Sequence, residues 1–188
     1  YDNKKAFPNF EALKELGALK TFKKIPSINS FLYEFYSMGA VRHGDYIAKV
    51  RVIPTEQTKN AITQKDIDLD SAEWPYRKGI IKEIAQKNLT FELQIQLCKN
   101  LKEMPVNDLT KEWSQELSPF RTVAKITIPK QTVPEDGNFE IMENLSFTPF
   151  RTIEENSPIG NLQRSRQSAY VTSSTSRHEL NHKKRKEP

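Results

Sequence analysis

Three runs of alternating apolar residues constrain the fold of this chain more than any other feature of its sequence. They cover residues 45–54, 89–98 and 122–129, and the first and third runs end at a proline. Side chains of a β-strand point alternately to the two faces of a sheet, so a period of two residues is typical of strands. Long connections separate the runs, which favours an antiparallel sheet or part of a barrel.

Helical periodicity is found before the first run and after the last. Apolar residues recur at three-residue steps over 10–22, and a second short helix is predicted over 31–36. The connections that begin at Thr55 and Lys99 are long for a compact domain, so we expect them to hold short helices or to wrap another surface. A polar helix is predicted around Tyr170.

Length and composition are those of one domain or part of one. The chain has 188 residues, of which only 36% are hydrophobic, which is polar for a self-sufficient globule. It begins with Tyr1 rather than a methionine, and we expect it to be the later part of a longer protein. The predicted organisation is a single domain over 1–180 and a basic, disordered tail over 181–188.

The single cysteine excludes an internal disulfide framework and a multi-cysteine metal site within this chain. Cys98 falls in the second alternating run and receives no role. A reducing compartment fits best, and we expect a cytoplasmic protein. No stretch approaches the roughly 20 apolar residues of a membrane span, so none is expected.

Charge and acidic pairs exclude further classes of function. Much of the net charge of +5 comes from residues 183–186, and no basic patch interleaved with aromatic residues lies on the strands, so no nucleic-acid partner is expected. The acidic residues at 66–70 lack the glycine and the terminal glutamate of a calcium loop, and those at 154–155 are typical of a solvated turn rather than of a glycosidase.

The strongest candidate for chemistry is a tyrosine between two arginines. Arg166 precedes Tyr170 by four residues and Arg177 follows it by seven, so the three side chains share one face of a helix. One interpretation is an exposed stack or cation–π contact. In the other, the positive charges favour the phenolate form of the tyrosine, which is a good ligand for ferric iron.

Four segments in order resemble the second half of the haem catalases. They are DLTKEW at 108–113, VAKITI at 123–128, ENLSFTP at 143–149 and RQSAY at 166–170. The closest similarity is to the small catalase-related haem proteins, because residues 147–160 resemble their approach to the ligand helix and residues 36–45 resemble their entry into a barrel strand. The resemblance extends from about residue 31 to residue 177.

This resemblance implies an α+β fold: the second half of a catalase-like antiparallel β-barrel with flanking helices and a C-terminal haem-ligand helix. It implies haem b as the cofactor, with Tyr170 as the iron ligand, Arg166 as the donor to its phenolate and Arg177 on a haem propionate. The implied activity is decomposition of hydrogen peroxide or of an organic hydroperoxide. Guanidinium groups suit both arginine roles, because they stay charged and donate in a fixed fork.

The chain departs from the catalase pattern on the other haem face, where that family has a distal histidine. Its histidines are His43, which lies in a turn before a strand, and His178 and His182, which follow the tyrosine. No catalytic residue is therefore identified. We expect poor stability and weak haem retention from the isolated chain, and a homo-oligomer is possible. The alternative hypothesis is a non-catalytic binding or scaffold module with a catalase-like fold.

Overall fold

The structure is a computed structural model that describes residues 27–70, 73–133 and 144–182. The helix predicted over 10–22 and nearly all of the predicted basic tail lie outside the described residues. Within them the chain forms five strands, three α-helices and two short 3-10 turns. The strands are β1 (Phe35–Tyr36), β2 (Val41–His43), β3 (Tyr46–Pro54), β4 (Leu89–Leu97) and β5 (Arg121–Ile128), and the helices are α1 (Glu56–Ala61), α2 (Pro75–Ile84) and α3 (Asn161–Leu180).

The three alternating runs form the predicted antiparallel strands β3, β4 and β5. β4 lies between the other two, with Val50 opposite Ile95 and Leu93 opposite Ala124. β1 and β2 both pair with β3, along the edge that β4 leaves free. The described strands thus make one open antiparallel sheet with helices, which confirms the mixed fold class. They do not close into a barrel.

The prediction of a helix over 31–36 is wrong for the second half of that range. A 3-10 turn covers Ser30–Leu32, and Asn29 begins it by accepting a hydrogen bond from the backbone N–H of Phe31. The chain then extends, and Phe35–Tyr36 pairs with β3. Aromatic residues favour strands, and pairing with β3 satisfies backbone groups that a helix this short would leave without partners.

The long connections pack apolar residues against the sheet in two clusters. The first connection holds α1 and α2, as expected, and contributes Ile62 and Ile84 to a core with Leu89 and Phe91. The second connection folds into turns, without a helix among its described residues. It buries Trp113, which is 2% exposed and packs with Met104 and Ala40.

The start of α3 is fastened to the sheet and to the second connection. Backbone hydrogen bonds join Arg42 of β2 to Ser157, at 2.8 Å, and Ile159 to Ala40, at 3.0 Å. Gly160 then takes φ of 96°, a left-handed value that favours glycine, and a Cβ there would lie 2.8 Å from the Val106 side chain. These contacts fix where the 20-residue helix α3 begins.

Candidate functional site

Helical spacing in α3 brings Arg166 against Tyr170. The Nη2 atom of Arg166 donates to the phenol oxygen at 2.7 Å, and the guanidinium carbon lies 5.2 Å from the centre of the tyrosine ring. Both side chains are half-buried. Residues four apart on a helix are neighbours, which is why the sequence spacing alone predicts this contact.

A cavity of about 310 Å³ opens beside the Tyr170 side chain. Its other walls come from a segment before α3 and consist of Phe147, Thr148, Pro149 and Arg151. Arg151 is held by Ser146, whose backbone carbonyl accepts from Nη1 at 2.7 Å and whose hydroxyl accepts from Nη2 at 3.1 Å. The phenol therefore faces a space with one apolar ring, one proline and one guanidinium on its walls.

Arg151 was not predicted from the sequence, although its neighbours were. Residues 147–149 belong to a segment that resembles catalases, and the structure places them in the cavity wall. Arg151 lies in the overlapping segment 147–160, which resembles the approach to the ligand helix in the catalase-related proteins, but it received no role. Its place within that segment was the signal that could have indicated it.

Arg177 lies on the same helix as Tyr170, although its side chain does not line the cavity. Its Nη2 atom donates to the backbone carbonyl of Leu145 at 2.5 Å. Its Nε atom is buried and has no hydrogen-bond partner among the described residues. Leu145 precedes the cavity wall by two residues, so Arg177 joins the C-terminal half of α3 to the chain that forms this wall.

The described histidines lie away from the cavity walls. His43 ends β2 as an exposed residue. His178 is 5% exposed, and its ring nitrogens face two backbone carbonyls, with Nδ1 2.5 Å from the oxygen of Ser174 and Nε2 3.0 Å from that of Asn144. His178 therefore fastens α3 to the same segment as Arg177, a packing role that its sequence position did not predict.

The chemistry of this site is that of a phenol oxygen with a charged donor. A guanidinium that donates to a phenol oxygen stabilises its anionic form, and tyrosinate is a protein ligand of haem iron. No cluster of three or more histidine, cysteine or acidic side chains that could hold a metal ion occurs in the described part of the chain. Among the described helices, none combines the length and the apolar character that a membrane span requires.

Comparisons with known proteins support the fold and leave the chemistry open. No family model matches this chain, and a search of curated proteins finds no match. Among solved structures, a fungal catalase aligns with a TM-score of 0.63 at 20% identity and covers 81% of this chain. Catalase A from Saccharomyces cerevisiae aligns with a TM-score of 0.60 at 19% identity and covers 83% of it.

These alignments define the class of fold. The chain has a catalase-like fold, which agrees with the resemblance of its motifs to catalases. It spans only about a third of those two proteins, 32% and 35% of their chains. At such low identity the likeness concerns the fold alone.

Proposed function

We propose that this chain supplies the proximal side of a haem site in a peroxide- or hydroperoxide-decomposing oxidoreductase. The observation that carries the proposal is the 2.7 Å hydrogen bond from Arg166 to the Tyr170 oxygen at the wall of a cavity. We propose for the two arginines the residue roles that the resemblance to catalases implies.

The residues present fit haem b. Tyr170 offers a phenol oxygen as a ligand, and Phe147 and Pro149 offer apolar contacts for a flat ring. Arg177 lies outside the cavity walls and has a buried Nε without a partner among the described residues, which a propionate carboxylate that reached it would satisfy. The donor set and this buried atom both suit an iron porphyrin with acidic side chains.

Each residue would then have a separate task. Tyr170 would hold the iron through its oxygen, and Arg166 would hold that oxygen in place through its hydrogen bond. Arg177 would bind a propionate carboxylate of the haem. When bound, the haem supplies the iron chemistry that cleaves a peroxide O–O bond.

A non-catalytic scaffold remains the second candidate function. The cavity walls include no histidine, aspartate or glutamate, so the described residues offer no proton-transfer base beside Tyr170. Haem binding without peroxide turnover in the full reading frame would favour the scaffold. Turnover there would favour the enzyme and would leave its substrate, hydrogen peroxide or an organic hydroperoxide, to be measured.

The test is titration of ferric haem into this chain and into a version extended to the full reading frame. We expect Tyr170→Phe to weaken binding at least about tenfold and to abolish the tyrosinate-type absorption spectrum. Tyr46→Phe is the matched control, because Tyr46 is exposed at the start of β3. Equal binding and an unchanged spectrum in Tyr170→Phe would contradict the proposal.

A further inference from the structure

A buried amide continues the contact between Arg166 and Tyr170 toward the sheet. Gln163 is 3% exposed, and its Oε1 accepts from Nη1 of Arg166 at 3.0 Å. Its Nε2 lies 3.4 Å from the backbone carbonyl oxygen of Ala40. One end of the amide thus faces a donor and the other an acceptor, which determines its orientation. Three hydrogen bonds therefore run from the backbone of Ala40 to the phenol of Tyr170.

The backbone of Gly39 leaves room for this amide. A Cβ at Gly39 would lie 2.8 Å from Nε2 of Gln163 and 2.9 Å from its Cδ. Such distances are shorter than real Cβ contacts, so the amide packs directly on the glycine backbone. Gly39 is not among the glycines with positive φ. The absence of a side chain, rather than an unusual backbone conformation, is what this contact requires.

We propose that Gln163 is the positioning residue of the Tyr170 site. It holds one edge of the Arg166 guanidinium, so the other edge stays on the phenol oxygen. A side chain with one edge already fixed loses less conformational entropy when its second edge forms a hydrogen bond. Through Ala40, the same chain of bonds fixes the phenol relative to the connection between β1 and β2. The consequence for iron rests on the proposed function, whereas the positioning of the phenol does not.

Two variants remove this support in different ways. Gln163→Leu deletes both hydrogen bonds at similar volume, and Ala40 keeps its bond from the backbone N–H of Ile159. Gly39→Ala leaves the glutamine in place and displaces its amide by steric contact. Gln167→Leu is the matched control, because Gln167 is an exposed glutamine on the same helix.

The first measurement uses the protein without haem. Tyrosine is labelled with ¹³C at Cζ, and the Tyr170 signal is assigned from its loss in Tyr170→Phe. We expect this signal to shift in Gln163→Leu and in Gly39→Ala and to stay in place in Gln167→Leu, with helical content unchanged by circular dichroism. An unchanged Tyr170 chemical shift in both folded variants would overturn the proposal.

The second measurement is the dissociation constant for ferric haem. We expect it to rise about five- to tenfold in Gln163→Leu and Gly39→Ala, because a phenol that is held less firmly loses more conformational freedom when it binds iron. Unchanged constants in both variants would also overturn the proposal. If the unaltered protein binds no haem, the proposed function fails while the shift of the Tyr170 signal still decides the role of Gln163.

Discussion

Two neighbouring residues near the end of α3 hold this helix to the chain that forms the cavity wall. The Arg177 guanidinium donates to Leu145, and the His178 ring faces the carbonyl of Asn144. A buried N–H of a charged group is costly when it has no partner, and Nε of Arg177 is in that position among the described residues. A carboxylate bound there would remove this cost.

Arg177→Lys tests the carboxylate role at this scale. Lysine keeps the charge but cannot bond two oxygens in a fork, so we expect the dissociation constant for ferric haem to rise about tenfold. The tyrosinate-type spectrum should persist, because Tyr170 is unchanged. Arg164→Lys on the exposed side of α3 is the control. Loss of the spectrum, or unchanged affinity, would show that Arg177 acts in another way.

At the scale of elements, sequence periodicity predicts those strands and contacts that depend on residues near one another in the chain. β3, β4 and β5 match the alternating runs to within one residue at each end. The contact between Arg166 and Tyr170 follows from helical spacing in the same way. Phe35 and Tyr36 were misassigned because their partners in β3 are distant in sequence, and six residues do not distinguish a helix from a turn followed by a strand.

A buried carboxylate fastens α2 to the chain that follows α1. Oε1 of Glu83 accepts from the backbone N–H groups of Thr63 and Gln64, each at 3.1 Å, and Oε2 lies 2.8 Å from Nζ of Lys87. Burial acts to raise the pKa of the Glu83 carboxyl. The bonds from Lys87, Gln64 and Thr63 outweigh burial and hold that pKa below its usual value. A carboxyl with a lowered folded-state pKa stabilises the fold above its unfolded-state value and loses this effect in acid.

Glu83→Gln should lower the free energy of unfolding by about 1–3 kcal/mol at pH 7, since it removes the charge that these donors satisfy. The difference from the unaltered protein should shrink as the pH falls below the ordinary pKa of 4.5 and through the lower folded-state pKa, because the unfolded-state carboxyl takes up its proton first. Urea denaturation at a series of pH values measures this. Glu116→Gln, at an exposed position, is the control, and an equal loss at every pH would refute the explanation.

At the scale of the whole molecule, the sheet is covered unevenly. β4 is largely buried, whereas seven of the eight residues of β5 are exposed, so both faces of this strand are open. Val123, at 46% exposure, is one of its uncovered apolar side chains. Sequence alternation predicted strand β5 but not how much of it is buried, because burial depends on contacts with residues that are remote in the sequence.

A matched pair of valine substitutions tests this uneven covering. Val123→Thr in β5 should change the free energy of unfolding by less than about 0.5 kcal/mol. Val52→Thr in β3 should lower it by about 1–3 kcal/mol, because Val52 packs against the core cluster of Leu89 and Phe91. Urea denaturation measures both. A large loss from Val123→Thr would mean that β5 is covered in solution.

Distance along the chain also explains which parts of the candidate site were predicted. Arg166, Tyr170 and Arg177 lie on one helix, so their spacing reveals them. Gln163 reaches Ala40 across 123 residues of sequence, and no local pattern indicates that contact. Arg151 lies beside Tyr170 only because the segment before α3 folds back along the helix.

The most direct test of the central claim is the resonance Raman spectrum of the ferric haem complex, recorded with ordinary and with ring-deuterated tyrosine. If Tyr170 ligates the iron, the spectrum should contain iron–phenolate bands that shift on deuteration. These bands should be absent from Tyr170→Phe and present in Tyr46→Phe. A haem complex without tyrosine-sensitive bands, or with bands that persist in Tyr170→Phe, would contradict the assignment of Tyr170 as the iron ligand.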